Sequence, residues 1–171
     1  MTAAHFAAAL AIKSRVPKAP TAALLVAAFV PDFIWIALAT TGLEPTRREI
    51  FFDDWSHSLL SVVVCATIAA IAYRSRGWEV VAALWLAVTS HFMLDLPVHP
   101  KPLALYPHSS VHLGLGLSSV PSMTYWFIQS AVVIALLAVY VSSRRRLGVS
   151  TRPLVASCVL ILGWHVALMP G

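Results

Sequence analysis

Polar residues interrupt this chain in only a few short places, and the runs between them are apolar and of helical composition. Residues 2–16 are rich in alanine and end on Lys13 and Arg15, and Pro17 and Pro20 stop the helix that they predict. At 1.5 Å per residue this segment is too short to cross a bilayer. It is expected to lie at the interface or to dip half-way in. Five longer runs follow, at about 21–41, 55–73, 78–96, 121–141 and 153–169. Each approaches the roughly 20 apolar residues that a crossing helix needs. The breaks are the polar loop 42–54, the tight basic turn from Arg74 to Gly77, the Pro- and His-rich stretch 97–118, and the segment around Arg144–Arg146. No internal repeat is visible. The pattern predicts an all-α fold in one domain over 1–171. It is a polytopic membrane helix bundle of about five transmembrane helices, plus the short N-terminal half-inserted or interfacial helix.

Composition agrees. The 171 residues are 59% hydrophobic and 11% charged, and the mean hydropathy is +0.81. That leaves too few charges to cover a soluble surface. The net charge of +5 changes the picture only through where it sits. Lys13, Arg15 and Lys18, then Arg74 and Arg76, then Arg144, Arg145, Arg146 and Arg152 each close or open an apolar run. Cytoplasmic loops collect Lys and Arg in this way. The N-terminus is therefore expected in the cytoplasm, with loops 42–54 and 97–118 and the C-terminus outside. Arg47 and Arg48 go against that orientation, among Glu44, Glu49, Asp53 and Asp54. No basic surface is gathered for nucleic acid. The expected partners are the lipid bilayer and either another membrane protein or a second copy of the chain. Cys65 and Cys158 lie in apolar runs and read as inert thiols. No charged start with a small-residue cleavage site marks a removable signal peptide.

The candidate chemistry lies in ionisable groups inside the apolar runs, where a central Asp costs about 2.5–3.5 kcal/mol on insertion scales. These are Asp32, His57, His91 and Asp95. His91 and Asp95 are four residues apart and share a helix face. His91 falls roughly 20 Å into its run, Asp32 similarly far, and His57 in the first turn of its own. All three runs thus bring polar groups into the outer half of the membrane. His5 joins them if the N-terminal helix dips; otherwise it stays at the inner face. Three imidazoles and two carboxylates at one depth suit a divalent metal such as Zn²⁺, with a carboxylate free to orient a His instead. An open position would lower the pKa of a bound water, the start of hydrolytic chemistry. Taken singly, each residue reads better as part of a hydrogen-bonded network; the set favours ligands. The candidate metal ligands are His5, Asp32, His57, His91 and Asp95, with Asp95 also the candidate catalytic base. His99, His108 and His112 are extra candidates, the last two reading first as solvated, and His165 reads as a cap or a contact to lipid head groups. Gly114-Leu115-Gly116-Leu117 reads as a close-packing turn, since no P-loop Lys or Ser/Thr follows. Ser56 and Ser58 beside His57 do not make a triad.

His5-Phe6-Ala7 with Lys13 and Pro17, then Asp32, Asp54-Trp55-Ser56-His57-Ser58-Leu59, Ser90-His91-Phe92-Met93-Leu94-Asp95 with His99, and Leu113-Gly114-Leu115-Gly116-Leu117 stand in this order along the chain. Together they resemble a group of small bacterial inner-membrane proteins, the YdjM-like membrane-bound metal-dependent hydrolases. The resemblance covers roughly residues 5–117. It implies a location in the bacterial cytoplasmic (inner) membrane, and a metal site and hydrolysis on His5, Asp32, His57, His91 and Asp95. This chain departs from that pattern at Phe33-Ile34-Trp35, where a second Asp and a His would follow Pro31-Asp32. It departs again at Phe52, Asp53 and Asp54, where His-Arg-Gly would stand. Fewer ligands weigh against a two-metal centre.

The leading expectation is a membrane-embedded metal-binding protein, a hydrolase of a lipid-linked or periplasm-facing substrate. The alternative is a non-catalytic structural or binding subunit of a larger membrane complex. Haem held by His57 and His91 is disfavoured by the neighbouring acids. A proton-coupled transporter is disfavoured by the missing repeat.

Overall fold

One proline and one serine divide two of the apolar runs into shorter helices than their length predicts. The computed structural model describes residues 2–44, 46–47, 50–98, 103–148, 152–167 and 169, and the chain is all-α. The helices are α1 (Thr2–Arg15), α2 (Thr21–Ala28), α3 (Val30–Thr40), α4 (Asp54–His57), α5 (Leu59–Ala72), α6 (Trp78–Asp95), α7 (Ser122–Arg146) and α8 (Arg152–Ala167). A minimal hairpin pairs Thr46–Arg47 with Ile50–Phe51 between α3 and α4.

The first long run is broken at Phe29, where α2 and α3 meet at a bend of 51°. Pro31 has no N–H to give to the helix ladder, which removes one rung there. The second run is broken at Ser58, whose extended backbone separates α4 from α5 and whose Oγ caps α5 by accepting from the Ser61 N–H. The third run is a single helix, α6, entered through Gly77 at φ +93°. Among the described residues one helix, the 25-residue α7, is long and apolar enough to cross a membrane, and α2 with α3 pass together only as a bent pair. Helix length and composition thus support one or two of the five expected crossings.

α1 does not lie against the outside of the bundle. Ten of its fourteen residues are buried, and it packs against α2, α6, α7 and α8. Its alanines allow this, because small side chains let helix backbones approach closely. Ala3, Ala4, Ala7 and Leu10 meet Val133, Leu137 and Tyr140 of α7 and Ile161 of α8. Ala9 and Ile12 join a second core with Leu24 and Ala28 of α2, Val62 and Ala66 of α5, and Leu84 and Val88 of α6. Outside these cores the helices turn apolar faces outward: Ile68, Ile71, Phe127, Ile134, Leu160 and Val166 are all more than half exposed.

Candidate metal centre

Four helices deliver the five expected residues to one place. His5 comes from the first turns of α1, Asp32 from the start of α3, His57 from the end of α4, and His91 and Asp95 from the last turns of α6. His5, His57, His91 and Asp95 are buried, while the Asp32 side chain is 36% exposed. The break at Phe29 and the break at Ser58 both matter here. The first starts a new helix just before Asp32; the second frees α4 to turn His57 inward.

The proton positions follow from the partners of the other ring nitrogens. His91 Nδ1 lies 2.7 Å from the Ala28 carbonyl, which can only accept, so Nδ1 carries the proton. His57 Nδ1 lies 2.7 Å from Ser56 Oγ. That hydroxyl gives its one hydrogen to the Asp53 carbonyl at 3.1 Å and therefore accepts from His57. Neutral His57 and His91 both then point Nε2 lone pairs into the centre. The two Nε2 atoms are 3.4 Å apart. Asp32 Oδ1 stands 3.4 Å from His57 Nε2 and 3.6 Å from His91 Nε2, and Asp95 Oδ2 stands 3.1 Å from His91 Nε2. Acceptors this close repel one another unless a proton or a cation lies among them. Ligands held tetrahedrally at 2.0–2.2 Å from Zn²⁺ are separated by about 3.3–3.6 Å. Three of the four separations fall in that range, and only His91–Asp95 is within hydrogen-bond length.

His5 completes the group. Its ring stacks on His91 with centroids 3.9 Å apart and planes 8° from parallel. His5 Nε2 is 3.3 Å from Asp95 Oδ1, and its Nδ1 is buried with no hydrogen-bond partner among the described residues. Two ligand sets satisfy metal spacing, His5–Asp32–His91 and His57–His91–Asp95, each with its ligand atoms within 4.8 Å. Both use His91, and its Nδ1 is committed to Ala28. One Nε2 serves one ion, so the geometry suits a single metal.

The other candidates stand apart. His108 is exposed, in a left-handed backbone conformation at φ 62°. Its ring lies against Phe52 and Trp55, and its N–H donates to Asp54 Oδ2 at 2.9 Å. His112 is exposed on a bridge with Ala104, and His99 lies outside the described residues. His165 does not face lipid head groups: it is buried, its Nε2 2.8 Å from Ser130 Oγ. Cys65 and Cys158 are free thiols away from the centre. The glycine turn is tied down by hydrogen bonds, Leu115 and Leu117 donating N–H groups to the Leu96 and Pro97 carbonyls just past Asp95.

Three supporting residues had no clear signature in the sequence. Ser56 fixes the His57 tautomer. Glu44 is fully buried beneath α4, and its Oε1 accepts from the Ser56 N–H at 2.9 Å. Asp53 presents its carbonyl to Ser56. Burial, opposed by His57 and assisted by the Glu44 and Asp54 carboxylates, pushes the Asp53 carboxyl up to about 6. Polar residues in a polar loop look ordinary until the loop folds under a helix turn.

No family model, curated protein or solved structure matches the chain.

Proposed function

We propose that this is a membrane-embedded metal-binding protein that holds one divalent ion, of the Zn²⁺ type, and hydrolyses a substrate with it. One observation carries the reading. The lone pairs of His57 and His91, each fixed by a bond from the opposite ring nitrogen, meet the Asp32 carboxylate at 3.4 and 3.6 Å. A second bond that sets tautomer and ring orientation is the usual accompaniment of a metal-ligating His.

His57, His91, Asp32 and Asp95 would hold the ion. When bound, it supplies Lewis acidity and lowers the pKa of water. Asp32 is the exposed member and marks the side from which substrate approaches. Asp95, with His5 against its other oxygen, is the proton acceptor of the site. The step from metal binding to hydrolysis rests on the resemblance to the YdjM-like membrane-bound hydrolases.

The membrane reading draws on α7 and on the apolar faces turned outward all round the bundle, which a protein in water would bury. Five crossings, a cytoplasmic N-terminus, a bacterial inner-membrane location and a site in the outer half of the bilayer belong to this proposal. Elemental analysis of the protein purified from membranes tests it. About one Zn, Mn or Fe per chain is expected. No metal after purification, and none regained on incubation, would sink it.

The single hydrogen-bond-length contact, His91 to Asp95 at 3.1 Å, favours a second reading, in which the cluster is a structural network in a subunit of a larger complex. Stability unchanged by a chelator, with a stable heterologous partner in mild detergent, would select that reading.

A further inference from the structure

A second site lies at the other end of α1 from His5. A groove of about 750 Å³ runs between the end of α1, the start of α6 and the second half of α7. Its floor is apolar, formed by Ala11, Ile12, Ala82, Leu86 and Val139. Its rim carries Arg15, Lys18, Glu79 and Trp78, and the indole is 78% exposed.

The cations at this end differ in how far they are already engaged. Lys13 is committed, its Nζ donating to the Pro17 and Ala19 carbonyls at 2.7 Å each. Lys18 reaches Glu79 at 3.7 Å, with both side chains well exposed, so that pair is weak. Arg15 is exposed and makes no ion pair among the described residues. Arg144, five positions beyond Val139 on α7, buries its Nε without a hydrogen-bond partner among the described residues. Arg144 is close enough to Lys13 to add to the burial that lowers the lysine's proton affinity. Positive charge is thus in excess at the mouth of an apolar trough.

A soluble anion would use the rim and leave the trough exposed, and an apolar peptide would have no use for the cations. An exposed Trp at the rim is typical of the interface between hydrocarbon and head groups. We infer that the groove binds an anionic phospholipid of the inner leaflet. Its acyl chain lies along Ala82, Leu86 and Val139, and its phosphate lies at Arg15 and Lys18 in the field of Arg144. This rests on the membrane placement proposed above and is independent of the metal.

The test uses the full chain in phosphatidylcholine vesicles doped with brominated phosphatidylglycerol or, separately, brominated phosphatidylcholine. The signal is the Trp fluorescence quenched in the native protein but absent from Trp78→Phe. Phosphatidylglycerol is expected to quench it with about 5- to 30-fold preference, at ~1 kcal/mol for each of one or two contacting cations. Arg15→Gln with Lys18→Gln abolishes the preference, and Arg15→Lys keeps most of it. Equal quenching by the two lipids overturns the inference, as does a preference that survives the double substitution. Relief of quenching by soluble glycerol phosphate also overturns it, since the ligand is then a free phosphate. A native protein that fails to float with the vesicles sinks the membrane reading itself. Flotation without preference sinks only the groove.

Discussion

Two buried histidines on neighbouring parts of the bundle have opposite surroundings. His165 on α8 is satisfied. Ser130 gives its hydrogen to the Trp126 carbonyl at 2.8 Å, so it accepts the His165 Nε2–H at 2.8 Å. The ring stacks on the Trp126 indole with centroids 5.1 Å apart, and Trp126 Nε1–H donates to the His165 carbonyl at 3.2 Å. Every proton there has one acceptor. His91 on α6 has its Nδ1–H held by Ala28, and its Nε2 faces His57, Asp32 and Asp95. Burial is alike in the two; the sum of donors and acceptors is not. What marks a ligand is the surplus of lone pairs.

That difference can be broken from either side, and the largest effect belongs to His91. His91→Ala removes the nitrogen shared by both ligand sets and is expected to abolish stoichiometric metal. His165→Ala is expected to leave metal content unchanged, as read by elemental analysis of both variants.

Acid is next. A metal-ligating imidazole must be neutral, so protons compete with the ion. Metal retention is expected to be full at neutral pH and to fall as the medium is acidified and protons displace the ion from the imidazoles. Equilibrium dialysis against a pH series measures it. Retention that does not change with pH would remove His57 and His91 from the ligand set.

Ser56→Ala leaves all four ligands but frees the His57 ring to turn. The expected loss is about 10- to 100-fold in metal affinity, the usual cost of removing a partner behind a ligand. Competition with a chelator of known affinity reads it. Smallest is the structural effect in the other half: His165→Ala leaves Ser130 without its donor and is expected to cost ~1–2 kcal/mol of stability, measured as a lower unfolding midpoint with metal binding intact.

Much of this was legible in the chain. Apolar run lengths gave the helical layout, and the four-residue spacing of His91 and Asp95 placed both on one face. The expense of Asp32 inside an apolar run singled it out. The breaks were half legible: Pro31 is visible, but the release of the Ala28 carbonyl towards His91 depends on which helix lies opposite. Ser58 looked like one more residue of a continuous helix, because its capping role appears only when the backbone extends there. The arrival of His5 at Asp95 depends on α1 being enclosed, and only the packing of its alanines against α7 and α8 decides that. Ser56 and Glu44 act through bonds between segments far apart in the chain or through a hydroxyl's direction, which residue identity does not encode.

The surplus of lone pairs at His57, His91, Asp32 and Asp95 calls for a cation among them. X-ray absorption at the zinc edge of the reconstituted, Zn²⁺-titrated protein tests it most directly. One saturable site per chain is expected, with nitrogen and oxygen ligands at about 2.0–2.2 Å and no sulfur, lost in His91→Ala and kept in His165→Ala. Zinc that never saturates, or a spectrum unchanged by His91→Ala, would contradict it.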